Sequence, residues 1–207
     1  MTGLRERKKA RTHAAISEAA IALFLEHGFD QVSVAQVAEA AEVSKRTVFA
    51  YFPAKEDLVV HRFADHEDEP ARLVRTRPPG AHPLDVLRDH FLRGLRERDP
   101  VTGLNDLPQI LAFTRMVNQT PALRTRAVSF QEGSGRMLAQ ALQDTPQLPS
   151  LTARLAATHI VSTHWLLSMD NFRALDGGRS ADERYPQAVD DAEHAFTLLA
   201  EGLARLL

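Results

Sequence analysis

QVSVAQVAEAAEVSKRTVFAYF, residues 31–52, reads as two short helices joined by a tight turn. Ser33 is a good N-cap, and Gln36 three residues on completes a Ser-x-x-Gln capping box. Val34, Val37, Ala38 and Ala41 recur at helical spacing, so the first helix buries one side. Glu42–Val43 forms the turn and Ser44 caps the second helix. Pro53 stops that helix, because the residue before a proline is pushed out of helical geometry. Lys45, Arg46, Thr47, Ala50 and Tyr51 are expected to face outward from it, and Val48, Phe49 and Phe52 inward.

A short helix with Lys, Arg and Thr in its first turn, propped by a buried partner, has the layout of a helix-turn-helix. That first turn reaches base edges in the major groove. Arg and Lys pair there with guanine acceptors, and Thr bonds a base or touches a thymine methyl. The same residues also suit a plain helical hairpin with a solvated basic face, and this chemistry leaves both readings open.

The flanking residues add a resemblance. Ile16, Ala19-Ala20, Leu23-Phe24 and Gly28-Phe29 precede the stretch, and Lys55-Glu56-Asp57-Leu58 follows it. With Val34, Val37-Ala38, Ala41, Val43-Ser44-Lys45, Thr47-Val48-Phe49 and Tyr51-Phe52, residues 12–58 resemble the DNA-binding domain of the tetracycline-repressor (TetR) family of bacterial transcription regulators. The resemblance covers roughly the first quarter of the chain. It implies DNA contacts by Ser33, Ser44, Lys45, Arg46, Thr47, Ala50 and Tyr51, with Lys55 on a phosphate flanking the groove. Three residues depart from the family pattern: Glu42 stands at a usual glycine, Phe49 at a usual tyrosine, and Ala54 at a common capping serine. A non-glycine at positive φ costs about 1 kcal/mol, and Ala54 caps weakly.

Across 207 residues, 44% are hydrophobic and 25% charged, as in ordinary globular proteins. With no cysteine, disulfides, thiolate metal sites and thiol redox sensing are excluded. No apolar run reaches membrane-spanning length, and the basic amino terminus lacks an apolar h-region, so a cytoplasmic protein without a membrane partner is expected. A net charge of −2 does not argue against DNA, because the positive charge is local. Arg5, Arg7, Lys8, Lys9 and Arg11 against Glu6 give the first dozen residues +4, and all four lysines fall in the first quarter. Met1 to Arg11 reads as a mobile arm able to contact phosphates or the minor groove.

The rest also reads as helical. Ile16, Ala19, Ala20, Leu23 and Phe24 stripe a long first helix, which Gly28 ends. A fourth helix starts near Ala54 and runs into the sixties. After a break at 76–83, helices are expected over 83–98, 109–118, from Thr120-Pro121 to Leu142, and over 151–171. Gly133 and Gly135 predict a kink or a short break in the helix that holds them. Residues 175–186 read as a polar loop. In the last helix, Val189, Ala192, Phe196, Leu199, Leu203 and Leu206 repeat three and four apart as a heptad seam.

No stretch alternates with a period of two, so an all-α fold of about nine helices is expected. Residues 1–60 form the helix-turn-helix domain, with its motif at 33–52, and residues 61–207 an effector-binding and dimerisation domain. A two-headed reader needs a dimer, with Val161, Phe196, Leu199, Leu203 and Leu206 as interface candidates. Phe91, Phe113, Met116, Phe130, Met137, His164 and Trp165 suit the lining of an apolar pocket, although each singly fits plain core. The resemblance implies a partly apolar small-molecule effector and gives no cofactor or metal.

A catalytic reading finds little purchase. His66-Glu67 meets Pro70 where a zinc-protease helix needs its second histidine, and Gly133-Ser134-Gly135 lacks the spacing of a nucleophile elbow. The expected function is a homodimeric repressor released from a palindromic operator by an effector. The alternative is a DNA-binding protein without effector, either architectural or regulated by protein contacts.

Overall fold

The computed structural model describes residues 3–144 and 148–203, leaving aside the side chains of Leu4, Arg5, Ala64, Asp65 and Leu203. Ten α-helices follow one another: α1 Leu4–His27, α2 Val34–Ala40, α3 Lys45–Tyr51, α4 Asp57–Glu67, α5 Glu69–Thr76, α6 Pro83–Glu97, α7 Pro108–Gln119, α8 Pro121–Gln143, α9 Ser150–Asp176 and α10 Ala181–Leu203. A 3-10 turn, Pro100–Thr102, lies between α6 and α7, and no strand occurs among the described residues. The chain is all-α, as its periodicity indicated.

Two compact units result. The first comprises Met1–Phe63 with Ala112–Val128, and the second Ala64–Leu111 with Ser129–Leu207. Helices α4, α7 and α8 each contribute residues to both. Residues 112–128 therefore pack with the amino-terminal unit, a long-range grouping that no local signal announces.

In the first unit, Ile16, Ala20 and Phe24 of α1 are buried, as are Val37, Ala38, Val48, Phe52 and Leu58. Removing each larger side chain from water contributes about 2 kcal/mol, so this small core rests on a handful of residues. Gly28 takes φ 89° at the end of α1, and its N–H bonds the Phe24 carbonyl. Phe29 then turns back to pack its ring against Phe24 at 5.0 Å.

In the second unit, α6, α9 and α10 pack together most extensively. Leu87, Phe91 and Leu95 from α6 meet Ala153, Ala156, Ala157 and Ile160 from α9 and Ala188, Ala192 and Phe196 from α10. The small alanines of α9 and α10 pack with the larger leucine and phenylalanine side chains of the same cluster.

A polar chain pins the loop after α6 to α9. Asn171 donates to the Thr102 carbonyl, Ser168 Oγ to the Val101 carbonyl, and buried Arg184 donates to Asn171 and Asp191. Gly103, at φ 71°, lies so close to the Ser168 carbonyl that an added Cβ would sit 1.9 Å from that oxygen. Both the backbone sign and the space require glycine there.

Several expectations are corrected. The basic arm is helical from Leu4, since nothing in residues 4–11 breaks a helix and α1 continues through them. Helix α8 runs through Gly133 and Gly135 without a break. Gly133 instead lets the Glu67 carboxylate approach, with Oε1 1.7 Å from where a Cβ would stand. The expected loop at 175–186 is mostly helix, because α10 starts at Ala181 and accommodates Pro186. Ser180 and Glu183 supply its capping box, each side chain accepting the other's backbone N–H. Helix α5 was not anticipated; its Pro70 sits in the first turn, where the missing N–H costs nothing.

Candidate nucleic-acid interface

Helix α2 begins at a complete capping box. The Ser33 N–H donates to Gln36 Oε1 at 2.8 Å, and the Gln36 N–H returns to Ser33 Oγ at 3.3 Å. Val37 and Ala38 anchor the helix in the core. In the turn, Glu42 takes φ 53°, the left-handed conformation anticipated at this non-glycine position. The Val43 N–H bonds the Ala38 carbonyl and closes the turn. Ser44 then caps α3, its Oγ accepting the Thr47 N–H at 3.0 Å. These caps orient α3 and leave the Lys45 and Arg46 side chains out of the cap.

On α3, Val48 is buried while Lys45, Arg46 and Ala50 are exposed. Thr47 Oγ1 lies 2.7 Å from Ser44 Oγ, so its hydroxyl belongs to the cap network. Phe49 is a correction: expected to face inward, it is 44% exposed, with Lys45 Nζ 5.9 Å from its ring centroid. Tyr51 is half-buried, 6.2 Å from the His13 ring, and Phe52 stacks at 4.4 Å on His13.

Lys55 has a different occupation. Its Nζ donates to the Phe29 carbonyl at 2.5 Å and sits 4.3 Å and 5.5 Å from the Phe29 and Phe24 ring centroids. This ammonium ties the start of α4 to the end of α1. The weakly capping Ala54 is compensated by Asp57, whose carboxylate accepts the Ala54 N–H at 3.0 Å and Arg126 Nε at 2.8 Å. Arg126, on α8, was missed from sequence. It stands 69 residues from its partner, and no motif marks it.

The arrangement is a polar helix edge, propped by a second helix, with the exposed cations Lys45 and Arg46 in its first turn. Residues 16–61 match the family described as "Bacterial regulatory proteins, tetR family". The HTH-type transcriptional repressor KstR of Rhodococcus jostii is 30% identical over 159 residues, 74% of this chain and 69% of that protein. The chain belongs to the tetR family. The HTH-type transcriptional regulator TcmR of Streptomyces glaucescens is 34% identical over 122 residues, and the chain spans about half of that relative's length, 54%. Among solved structures, NalD of Pseudomonas aeruginosa, described as the secondary repressor of the MexAB-OprM multidrug efflux pump, superposes with TM-score 0.59 at 20% identity, covering 90% of this chain and 97% of that one. At that identity NalD supports the fold alone.

The second unit of this tetR-family chain holds some of the pocket candidates but not all. Phe113 and Met116 fall in the first unit, where Phe113 packs on Phe63 at 6.2 Å. Phe91, Phe130, Met137, His164 and Trp165 fall in the second, and Met137 packs against its core. Of these, the structure brings Phe91 and His164 into ring contact at 5.3 Å, nearly parallel, with Phe196 closing the third side.

The interface candidates are also re-sorted. Phe196 is 2% exposed and belongs to the core of its own chain, which removes it from any outer surface. Val161 and Leu199 are half-buried against the same core, while Leu206 and the Leu203 side chain lie outside the described residues. On α9 and α10, the large apolar side chains in the open among the described residues are Leu151, Leu155, Leu166 and Leu198. Among the described residues, no helix is long and apolar enough to cross a membrane.

Proposed function

We propose that the chain is a sequence-specific DNA-binding regulator, a homodimeric repressor released from a palindromic operator by a small molecule. The observation that carries this is the exposure of Lys45 and Arg46 in the first turn of a capped helix held at a fixed angle by α2. Arg46 takes the role of base reader, Lys45 contacts a base or phosphate, and the Ser33 and Ser44 caps hold the backbone for phosphate contact. Ala50 gives the groove floor room, and the hydroxyl of Tyr51 serves the backbone. The repressor relative KstR supports negative control. A protein seated over a promoter needs no further contact to block it.

One head offers few contacts, so two are required, spaced by one turn of the duplex. The exposed leucines of α9 and α10 support a dimer through those helices, in a four-helix arrangement. Release follows from a two-state balance in which the effector binds better to the state with the wrong spacing. Tenfold weaker operator binding needs only about 1.4 kcal/mol of coupling. This role uses no catalytic residue, cofactor or metal.

Selection of bound sequences from a random duplex pool tests the reading. A discrete palindrome with two half-sites is expected, and enrichment of no sequence over competitor DNA would reject it.

A further inference from the structure

Val48 and the C-cap residue Phe52 hold α3 in the core, and Phe49 stands outside it, 44% exposed. Lys45, Arg46, Phe49 and Ala50 are the exposed residues of α3. Each residue advances about 100° around a helix axis, so Phe49 falls about 40° from Lys45 and about 60° from Arg46, between the two. The Lys45 ammonium lies 5.9 Å from the Phe49 ring centroid, so the two side chains lean together. Whatever surface Lys45 and Arg46 meet, the phenyl ring meets too. A ring set between two cations does not suit an apolar protein groove, which would bury both charges unpaired. It suits the major groove of a duplex, where phosphates and guanine acceptors meet the cations.

We infer that Phe49 is a specificity-determining residue of the operator contact, packing on a thymine C5-methyl in the same half-site as the base that Arg46 reads. This deepens the regulator reading above and rests on it. Base edges in the major groove present hydrogen-bond donors and acceptors and one apolar group, the thymine methyl. A phenyl ring offers no strong hydrogen bond to the first two, so the methyl is the group it gains by covering. A tyrosine here would carry a hydroxyl able to bond phosphate, a contact blind to sequence; phenylalanine has none. Cytosine at the same place bears no methyl and forfeits the apolar contact. The ring therefore selects one pyrimidine over the other.

Deoxyuridine tests the assignment, because it differs from thymidine only by the missing C5-methyl. In an operator selected from the random duplex pool, each thymine of a half-site is replaced in turn, together with its symmetry mate. Binding of the full chain is then measured by competition. One such replacement is expected to weaken binding about fifteenfold, about fourfold for each methyl group covered. Phe49→Ala should weaken binding to the thymine operator by a similar factor and no longer distinguish deoxyuridine at that position. Phe49→Leu, still apolar, should keep part of the preference. Both variants should keep discrimination at the base read by Arg46, and both should melt as the wild type does, since the ring lies outside the core. A wild type indifferent to every thymine methyl would overturn the inference, as would a methyl preference that survives Phe49→Ala. So would an equal Phe49→Ala loss on operator and competitor DNA, which would place the ring on the sugar–phosphate backbone. A discrete palindrome without methyl sensitivity leaves the regulator reading standing and removes only this one. A pool that yields no operator rejects both.

Discussion

An ammonium group bonded to a backbone carbonyl and lying over two phenyl rings, as at Lys55, works first as a fastener between α1 and α4. Motif matching assigns that lysine to a phosphate, since the residue type and position fit, but side-chain direction is not written in the motif. Arg46, in the first turn of an exposed helix edge, has no such competing bond among the described residues. The two positions should therefore separate in experiment. Lys55→Ala is expected to lower stability to urea by about 1 kcal/mol, the worth of one hydrogen bond plus a cation–π contact. Arg46→Ala should leave stability unchanged and relax base choice at one operator position by about 1–3 kcal/mol, read by competition binding. Identical operator profiles for the two variants would contradict this division.

At the scale of elements, what was legible depended on whether the signal was local. The helix-turn-helix could be read because its caps lie three residues from the groups they satisfy, at Ser33–Gln36 and Ser44–Thr47. The same local signal stood at Ser180–Glu183, but Pro186 reads as a breaker and masked it. The ion pair Arg126–Asp57 and the Asn171–Thr102 bond each span 69 residues, so only the folded chain exposes them. The seam on α10 has the spacing read from sequence, but its Ala192 and Phe196 are buried in the chain's own core. A heptad pattern is the same whether the facing helix comes from the same chain or another, and Phe196 turned out to face its own α6 and α9. The loop after α6 offers a test at this scale. Gly103→Ala should destabilise the second unit by more than about 2 kcal/mol, combining left-handed strain with the clash against the Ser168 carbonyl. Denaturant titration reads it, and an unchanged midpoint would mean that the loop is not pinned to α9.

For the molecule as a whole, two properties follow. The first is acid sensitivity. His164 titrates near 4 when folded against 6.5 when unfolded, so below pH 6.5 the unfolded chain binds the extra proton and stability falls as pH drops. The loss runs from pH 6.5 down to about 4 and is on the order of 3 kcal/mol. Glu69, held far below the usual carboxylate range by hydrogen bonds from His66 and His90, adds a second loss as pH falls below 4.5. Thermal melts from pH 7.5 to 4 should therefore show a steep decline that His164→Phe flattens above pH 4.5. The second property is assembly. Leu166→Glu combined with Leu155→Glu places charge on the open apolar face of α9 and should shift the chain to monomer in sedimentation, with loss of operator binding. A dimer that survives both substitutions would put the contact elsewhere.

The continuation of α1 through Arg7, Lys8, Lys9 and Arg11 carries its own consequence. As a strung-out thread, eight residues would reach about 27 Å; coiled, they advance about 12 Å. Such a stiff post cannot wind along the narrow channel of the duplex. Its charges occupy set angular stations around one axis, and they meet the sugar–phosphate rail at one spot or miss it altogether.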